Sequence, residues 1–576
     1  MNTYLKKIKN ENIFLVIFFI YLISIKIYFL VLNPASLESY ITAVNTHIFF
    51  NAKSFFLIPQ SFVDWNHPGT PLYYITSIIF FFYKDFLIKD IFEFLYILHI
   101  FFFFLLIVSI YKFINYFKNI IQIEYIFLFL ILICSFDTFI LSLEVVDYTS
   151  LKLPIALMII IHFHQFVEKN NIKNLGLIVF YISLANSIIL SFLSITIAIS
   201  FSILLTIILK KKYNLIKYFF LFNVSFFSIL NFPILGRIPK IIFNVIFLRE
   251  DTRFEIANSY ELFQKFFFYT IENYYYFFIP IFAIFLKSLQ GIYKGKYLYI
   301  KNTNNLIYLI TSGLIFLFFI YTILSGSNDD FGERVHRLRG VGLRNIYISS
   351  IFIFFLFIVF KKLFSKFELK SIIILSIISL IIVNFNYIKT RNNSLIELDL
   401  KEDILQAKIN LIFKDSRTLA VYSDNGYGFK NFNIIARANS ILAGEKFNNE
   451  MFLTYPNLRF FRLNDIIFKL ENKKFTINKY VREIDDLIKI FFTGKARLIL
   501  SPNSLNLTTT WIGSASRPDD IFIKKRQSDK INGIVLNKNS LIKNNFINLK
   551  NYIYKNTEFK KFKEIKVRED VWLIFY

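Results

Sequence analysis

From residue 13 to about residue 388 the sequence is a succession of apolar runs, most of them near 20 residues long. As a helix, a run of roughly 20 apolar residues matches the ~30 Å hydrocarbon core of a bilayer. Inside lipid, backbone N–H and C=O groups are satisfied only in helices or closed barrels. The runs here are continuous and do not alternate, which argues against a barrel. The sequence therefore predicts an α-helical polytopic membrane protein with about eleven transmembrane helices over residues 1–388.

The first span is expected near 13–32. Lys6, Lys7 and Lys9 precede it, but no small-x-small cleavage site follows the run. The expectation is an uncleaved first helix with a cytoplasmic N-terminus. Further spans are expected near 92–111, 123–142, 149–167, 175–190, 192–209, 218–235, 273–290, 305–325, 342–360 and 371–388. The apolar piece 71–83 is too short to cross and reads as an interfacial helix within an outer segment, 33–90.

Loop charges support this order. Lys112 and Lys118, Lys169 and Lys173, Lys210 to Lys212 with Lys217, Lys294 and Lys296, and Lys361 and Lys362 all fall at predicted inner loops. Positive charge is retained on the cytoplasmic side. Making 71–83 a true span would place these lysines outside. The least marked boundary is that between the fifth and sixth spans, where only Asn186, Ser187 and Ser191 interrupt the apolar run.

The chain carries a formal charge of +26, which invites a nucleic-acid reading. Composition gives a different account. Phe (75) and Tyr (34) are abundant and Gly (16) and Pro (11) scarce, a bias that fits an AT-rich genome and its preference for Lys. Basic composition alone is weak ground for nucleic-acid binding, and no nucleic-acid partner is expected. The one cysteine, Cys134, lies in an apolar span, so an intramolecular disulfide and a cysteine metal site are excluded.

Past residue 389 the apolar segments shorten to strand length. Thr418-Leu-Ala-Val-Tyr422, Ala496-Arg-Leu-Ile-Leu500 and Val571-Trp-Leu-Ile-Phe-Tyr576 are the clearest. A helical pattern lies between them at 481–492. Residues 389–576 are thus expected to form an α/β domain, and an odd number of spans would place it outside the cytoplasm.

Polar chemistry concentrates between the first and second spans. Ser36-Leu-Glu-Ser-Tyr40 carries Glu38, and Asp64-Trp-Asn-His-Pro-Gly-Thr-Pro-Leu-Tyr-Tyr74 carries Asp64 and His67. A positioned carboxylate can take the proton of an attacking hydroxyl; it can equally be an ordinary interfacial residue. Asp64 and His67 can bind a divalent metal or the phosphate of a lipid. Pro68 and Pro71 read as a helix start with Asp and Asn capping.

Three further charges stand at the third and fourth spans. Glu144 and Asp147 mark the outer end of the third, and Lys152 the start of the fourth. A charge at full membrane depth costs roughly 2.5–3.5 kcal/mol on insertion scales, so Lys152 is expected to face a cavity. A local ion pair is the alternative. Arg334, Arg337 and Arg339 lie in a predicted outer loop of a chain that otherwise prefers Lys. Arginine forks pair with phosphate oxygens through two parallel hydrogen bonds. A network with Asp329 and Asp330, or headgroup anchoring, is the other reading. His162 and His164 are expected to pack rather than ligate.

Glu38 followed by Tyr40, and the run His67-Pro-Gly-Thr-Pro-Leu-Tyr73, resemble the first extracytoplasmic loop of the C-type integral-membrane glycosyltransferases. That superfamily includes protein mannosyltransferases and lipid A aminoarabinose transferases. Its members often carry an adjacent Asp-Glu pair where Glu38 stands alone here. The resemblance covers the first 160 residues by motif and 1–390 by architecture. It implies transfer of a sugar from a polyprenyl-phosphate carrier to a glycan, lipid or protein acceptor outside the cytoplasm, at the cell inner membrane. Glu38 and Asp64 would be catalytic, with Glu38 the general base. His67, Lys152, Arg334, Arg337 and Arg339 would hold substrate phosphate, and Asp64 with His67 would be the place for a metal. Rival readings are a surface-polysaccharide ligase or polymerase, whose decisive loop lies late in the chain, and a transporter, which usually shows paired halves with broken helices, neither of which this sequence shows.

Overall fold

The computed structural model describes residues 2–32, 42, 46, 70–83, 91–188, 192–232, 302–324, 350–360, 366–412, 419–422, 458–461, 533–537, 554, 560–568 and 570–575. Twelve helices and five strands fall within them. Two compact units are formed. One comprises Met1–Pro34, Asn66–Leu72 and Ile97–Lys389; the other comprises Ala35–Trp65, Tyr73–Tyr96 and Thr390–Tyr576.

The helices follow the apolar runs. They are α1 (Asn2–Leu32), α2 (Thr70–Tyr83), α3 (Ile91–Phe117), α4 (Ile123–Cys134), α5 (Asp137–Glu144), α6 (Lys152–Lys169), α7 (Ile172–Ile188), α8 (Leu193–Leu209), α9 (Asn214–Leu230), α10 (Thr303–Leu324), α11 (Phe352–Val359) and α12 (Lys366–Ile412). Among the described residues three stretches are long and apolar enough to cross a membrane: Phe94–Phe117, Tyr148–Lys169 and Glu368–Asn393. Shorter apolar helices accompany them, including Leu15–Val31, Ile172–Ile188 and Asn214–Leu230. The exposed surface agrees. Ile17, Ile20, Ile27 and Val31 project from α1, and Phe220, Leu221 and Val224 from α9. Faces this apolar suit lipid, not water. The protein is a helical membrane protein.

Several expected boundaries hold. The doubtful fifth–sixth boundary is real: α7 ends at Ile188 and α8 begins at Leu193. Thr196 Oγ1 donates to Asn186 Oδ1 across it at 2.8 Å. The turn between α6 and α7 uses two asparagines. Asn170 takes the left-handed C-cap conformation (φ 44°, ψ 53°), which Asn tolerates better than most residues. Asn171 Oδ1 then accepts the Asn174 N–H at 2.9 Å.

Two expectations are corrected. The third span, 123–142, is not one helix. It breaks at Ser135 and Phe136, where Ser135 Oγ donates back to Ile131 O at 2.7 Å. Asn384 of α12 donates to Cys134 O at 3.5 Å and also to the Tyr21 hydroxyl. A freed carbonyl in lipid needs such a partner. The last span, expected to end near 388, instead continues as one 47-residue helix to Ile412. Its polar second half holds no Gly or Pro to stop it. The predicted span 273–290 lies outside the described residues.

In the first unit aromatic side chains make the core. Phe113 and Phe117 of α3, Phe129 of α4 and Phe354 of α11 enclose one another with ring centroids 4.7–5.6 Å apart. Phe163 packs edge-on against Phe355 at 5.6 Å. Lipid supplies no hydrophobic drive between helices, so packing and interhelical hydrogen bonds hold them. Aromatic pairs of this kind contribute about 0.5–1.5 kcal/mol each. The α7–α9 pair is zipped by Phe180 on Phe226 at 5.6 Å and by Asn231 Nδ2 donating to Ser187 Oγ at 2.6 Å.

The second unit carries the sheet. Strands β1 (Leu419–Tyr422), β2 (Leu458–Phe461), β3 (Gly533–Asn537), β4 (Phe562–Val567) and β5 (Asp570–Phe575) lie in the order β2-β1-β3-β5-β4. The β2-β1-β3 set is parallel, and β5 pairs antiparallel with both β3 and β4. The sequence marks β1 and β5; the segments 481–492 and 496–500 lie outside the described residues. Arg568, at φ 55°, turns the β4–β5 hairpin and pairs with Glu397 at 3.4 Å. Both side chains are open to solvent, so the pair adds little. Elsewhere in this unit Thr46 Oγ1 donates to Thr76 Oγ1 at 2.7 Å.

Candidate functional site

Of the residues the sequence singles out, Glu38, Asp64, His67, Arg334, Arg337 and Arg339 lie outside the described residues. The helix that their motif leads into is described. It starts at Thr70 with Pro71 in its first turn, where a missing N–H costs no helix hydrogen bond; Pro68 and the expected Asp and Asn caps lie outside the described residues. Lys152, Glu144 and Asp147 are described, and they belong to a buried polar cluster in the first unit.

The cluster forms because the chain turns there. After α5 ends at Glu144, Val145, Val146 and Asp147 are extended or irregular, and a 3-10 turn (Tyr148–Leu151) leads into α6. Asp147 caps that turn. Its carboxylate accepts the Thr149 N–H at 2.6 Å and the Thr149 hydroxyl, and its own N–H donates to Ser150 Oγ. The arrangement is a capping box. The Asp147 carboxylate is therefore employed locally. Lys152 is 1% exposed, and its ammonium lies 5.7 Å from the Tyr148 ring centroid, a cation–π distance. Glu144 is fully buried.

Two more residues complete the cluster. Lys26 of α1 is 5% exposed and His99 of α3 is 1% exposed. Lys26 Nζ lies 2.8 Å from His99 Nδ1 and donates to Leu143 O at 2.5 Å. With Lys26 charged, His99 Nδ1 must accept, which puts the imidazole proton on Nε2. Glu144 lies within electrostatic reach of Lys26. Sequence reading passes over both residues. The signal was present: Lys26 and His99 are single polar residues inside apolar runs, and such residues in membrane helices face an interior or a cavity.

A cleft opens beside Lys26. It is small, with room for no more than about one water molecule. Lys26, Ser142 and Ser150 line its polar side, and Phe102, Phe103 and Leu153 its apolar side.

A second polar group sits at the far end of α6. Glu168 Oε1 accepts from Tyr308 Oη at 3.2 Å and from Asn304 Nδ2 at 3.1 Å. His164 stacks on Tyr308 and lies 3.0 Å from Tyr116 Oη through Nδ1. His162 stacks on Tyr181 at 4.9 Å. Both histidines are held as packing groups. Among the described residues no three His, Cys, Asp or Glu side chains are grouped to hold a metal. Asp64 and His67 fall outside that set.

No family model, no curated protein and no solved structure matches the chain.

Proposed function

We propose that this protein is a C-type membrane glycosyltransferase that moves a sugar from a polyprenyl-phosphate carrier to an extracytoplasmic acceptor. The observation that carries the reading is the first loop: Glu38 just past the first apolar helix, then Asp64-Trp-Asn-His-Pro-Gly-Thr-Pro-Leu-Tyr-Tyr74. The apolar helices support the membrane setting. In this reading about eleven helices cross the inner membrane, and the α/β domain lies outside with the first loop.

The chemistry assigns each group a task. Glu38 takes the proton of the acceptor hydroxyl as its oxygen attacks the anomeric carbon. The bond from that carbon to the phosphate oxygen breaks, and its electron pair leaves with the carrier phosphate. Arg334, Arg337 and Arg339 neutralise the departing charge, and Asp64 with His67 positions the phosphate or a divalent metal. Attack opposite the leaving group inverts the anomeric centre.

Transfer by the membrane-reconstituted protein from a panel of polyprenyl-phosphate sugars tests this. Glu38→Gln should lower turnover by about 10²–10⁴-fold while carrier binding persists. Arg337→Ala should weaken binding and turnover together. Unchanged turnover in Glu38→Gln would remove that residue as the base, and no transfer from any carrier would remove the reading.

One observation favours a second reading. The third span breaks at Ser135 and Phe136, and Lys26, His99 and Glu144 are buried in the same unit. Broken helices and intramembrane charges are features of transporters. Solute uptake into proteoliposomes without a carrier lipid would select it.

A further inference from the structure

We propose that the turns joining α6 to α7 and α8 to α9 form one binding surface for an anionic diacyl phospholipid of the surrounding bilayer. The inference starts from how the fold brings two lysine-bearing turns together. Lys169 closes α6, and Lys173 stands in the first turn of α7. Lys210, Lys211 and Lys212 follow α8, and Lys217 ends the first turn of α9. Lys210 Nζ donates to Val167 O, so the second turn lies against the first. From this end α7 and α9 run side by side. A Cβ on Gly176 would meet the Phe222 ring at 3.4 Å, and Phe180 packs on Phe226 one turn further along both helices. Contacts that advance together make the pair parallel, so Lys173 and Lys217 stand at the same end of it.

The charge at this corner is not neutralised. Six lysines face one acid in the two turns, Glu168. Its carboxylate accepts from Tyr308 and Asn304, and the lysine within its electrostatic reach is Lys210. Lys169, Lys173, Lys211, Lys212 and Lys217 are exposed. Among the described residues none of these five has a carboxylate at ion-pair distance.

The surface beside the lysines identifies the occupant. Helix α9 exposes Phe220, Leu221 and Val224, at 57%, 57% and 68%, a stripe that begins just past Lys217. Tyr213, exposed, and Tyr218, whose ring centroid lies 5.0 Å from Lys217 Nζ, stand at the junction. Tyrosines are enriched at the headgroup level of a bilayer, so the lysines sit among headgroups and the stripe below them among acyl chains. One molecule with an anionic head and two apolar chains matches both parts. A zwitterionic lipid brings its own ammonium, which the lysines repel, and a free phosphate has no chains for the stripe. Basic clusters at a membrane surface draw anionic lipids in this way. None of the residues assigned to sugar transfer takes part.

Photo-crosslinking of the full-length protein in phosphatidylcholine nanodiscs tests it. Three probes carry a diazirine on their chains: phosphatidylglycerol, phosphatidylcholine and a polyprenyl phosphate. Phosphatidylglycerol is expected to label the peptide holding Phe220, Leu221 and Val224 about tenfold above phosphatidylcholine. Lys211→Gln, Lys212→Gln and Lys217→Gln should each cut that labelling about two- to fivefold, the effect of one lysine near an anionic surface. Together they should bring the two lipids level. These side chains are exposed, so the variants keep the fold. Lys118→Gln, in the turn after α3, should leave the preference unchanged. A loss there equal to that in Lys217→Gln would make the effect a diffuse surface potential and overturn the proposal. So would equal labelling by phosphatidylglycerol and phosphatidylcholine, or stronger labelling by the polyprenyl phosphate than by phosphatidylglycerol. The readout needs no turnover, so a protein that fails to transfer sugars leaves the result intact.

Discussion

A lysine buried in a membrane helix is tolerable when its ammonium is hydrogen-bonded, and Lys26 is bonded to His99 Nδ1 and Leu143 O, with Glu144 within electrostatic reach. Lys26→Met removes the cation but leaves the buried acid. That should lower stability by about 3 kcal/mol, because a buried charge that loses its nearby counter-charge is left uncompensated. Lys26→Met with Glu144→Gln should recover more than half of the loss, read by unfolding of the purified protein in detergent. Equal losses in the single and double variants would show that the two residues act independently. The residues of this cluster were partly legible in the sequence. Glu144, Asp147 and Lys152 stand out as charges beside apolar runs. Their roles did not follow from spacing: Asp147 caps a 3-10 turn, and only the fold shows that the chain irregularity after Glu144 gives it a backbone to cap. Lys26 and His99 lie 73 residues apart, and no local pattern joins them.

Helix positions were the most legible elements because lipid demands continuous apolar runs. The break between α4 and α5 was not. No Gly or Pro marks it, and the sequence there, Ile133-Cys-Ser-Phe-Asp137, offers only a short polar interruption. Strands β1 and β5 were visible as short apolar runs. Strand β4, Phe-Lys-Glu-Ile-Lys-Val, was hidden by its charges, which occupy exposed positions while Ile565 and Val567 turn inward. The α7–α9 pairing was also invisible, since one interhelical hydrogen bond carries no periodic signature. Its energy is testable. Asn231→Leu should cost about 1 kcal/mol, and a double-mutant cycle with Ser187→Ala should give a coupling of about 0.6–1.7 kcal/mol. No coupling would mean that the aromatic contacts alone hold the pair.

For the whole molecule the distribution of lysines predicts an orientation. With Cys134 replaced, single cysteines at Asn66 and Ser516 should react with an impermeant reagent from outside, and one at Lys212 only after the membrane is opened. Labelling of position 516 solely from the cytoplasmic face would reverse the assigned parity. Membrane class was legible from hydropathy alone; sidedness rests on loop charge, and the partnerships between distant spans needed coordinates. One such partnership has a bearing on time. Asn384 of α12 serves Cys134 O and the Tyr21 hydroxyl, 250 and 363 residues upstream. At ~5–20 residues per second of synthesis, a ribosome needs roughly 10–50 s to travel from the broken span to the asparagine that bonds to it. Through that interval the early helices wait in the bilayer with this contact unmade. The break is thus a late fastening, completed only when the last span emerges.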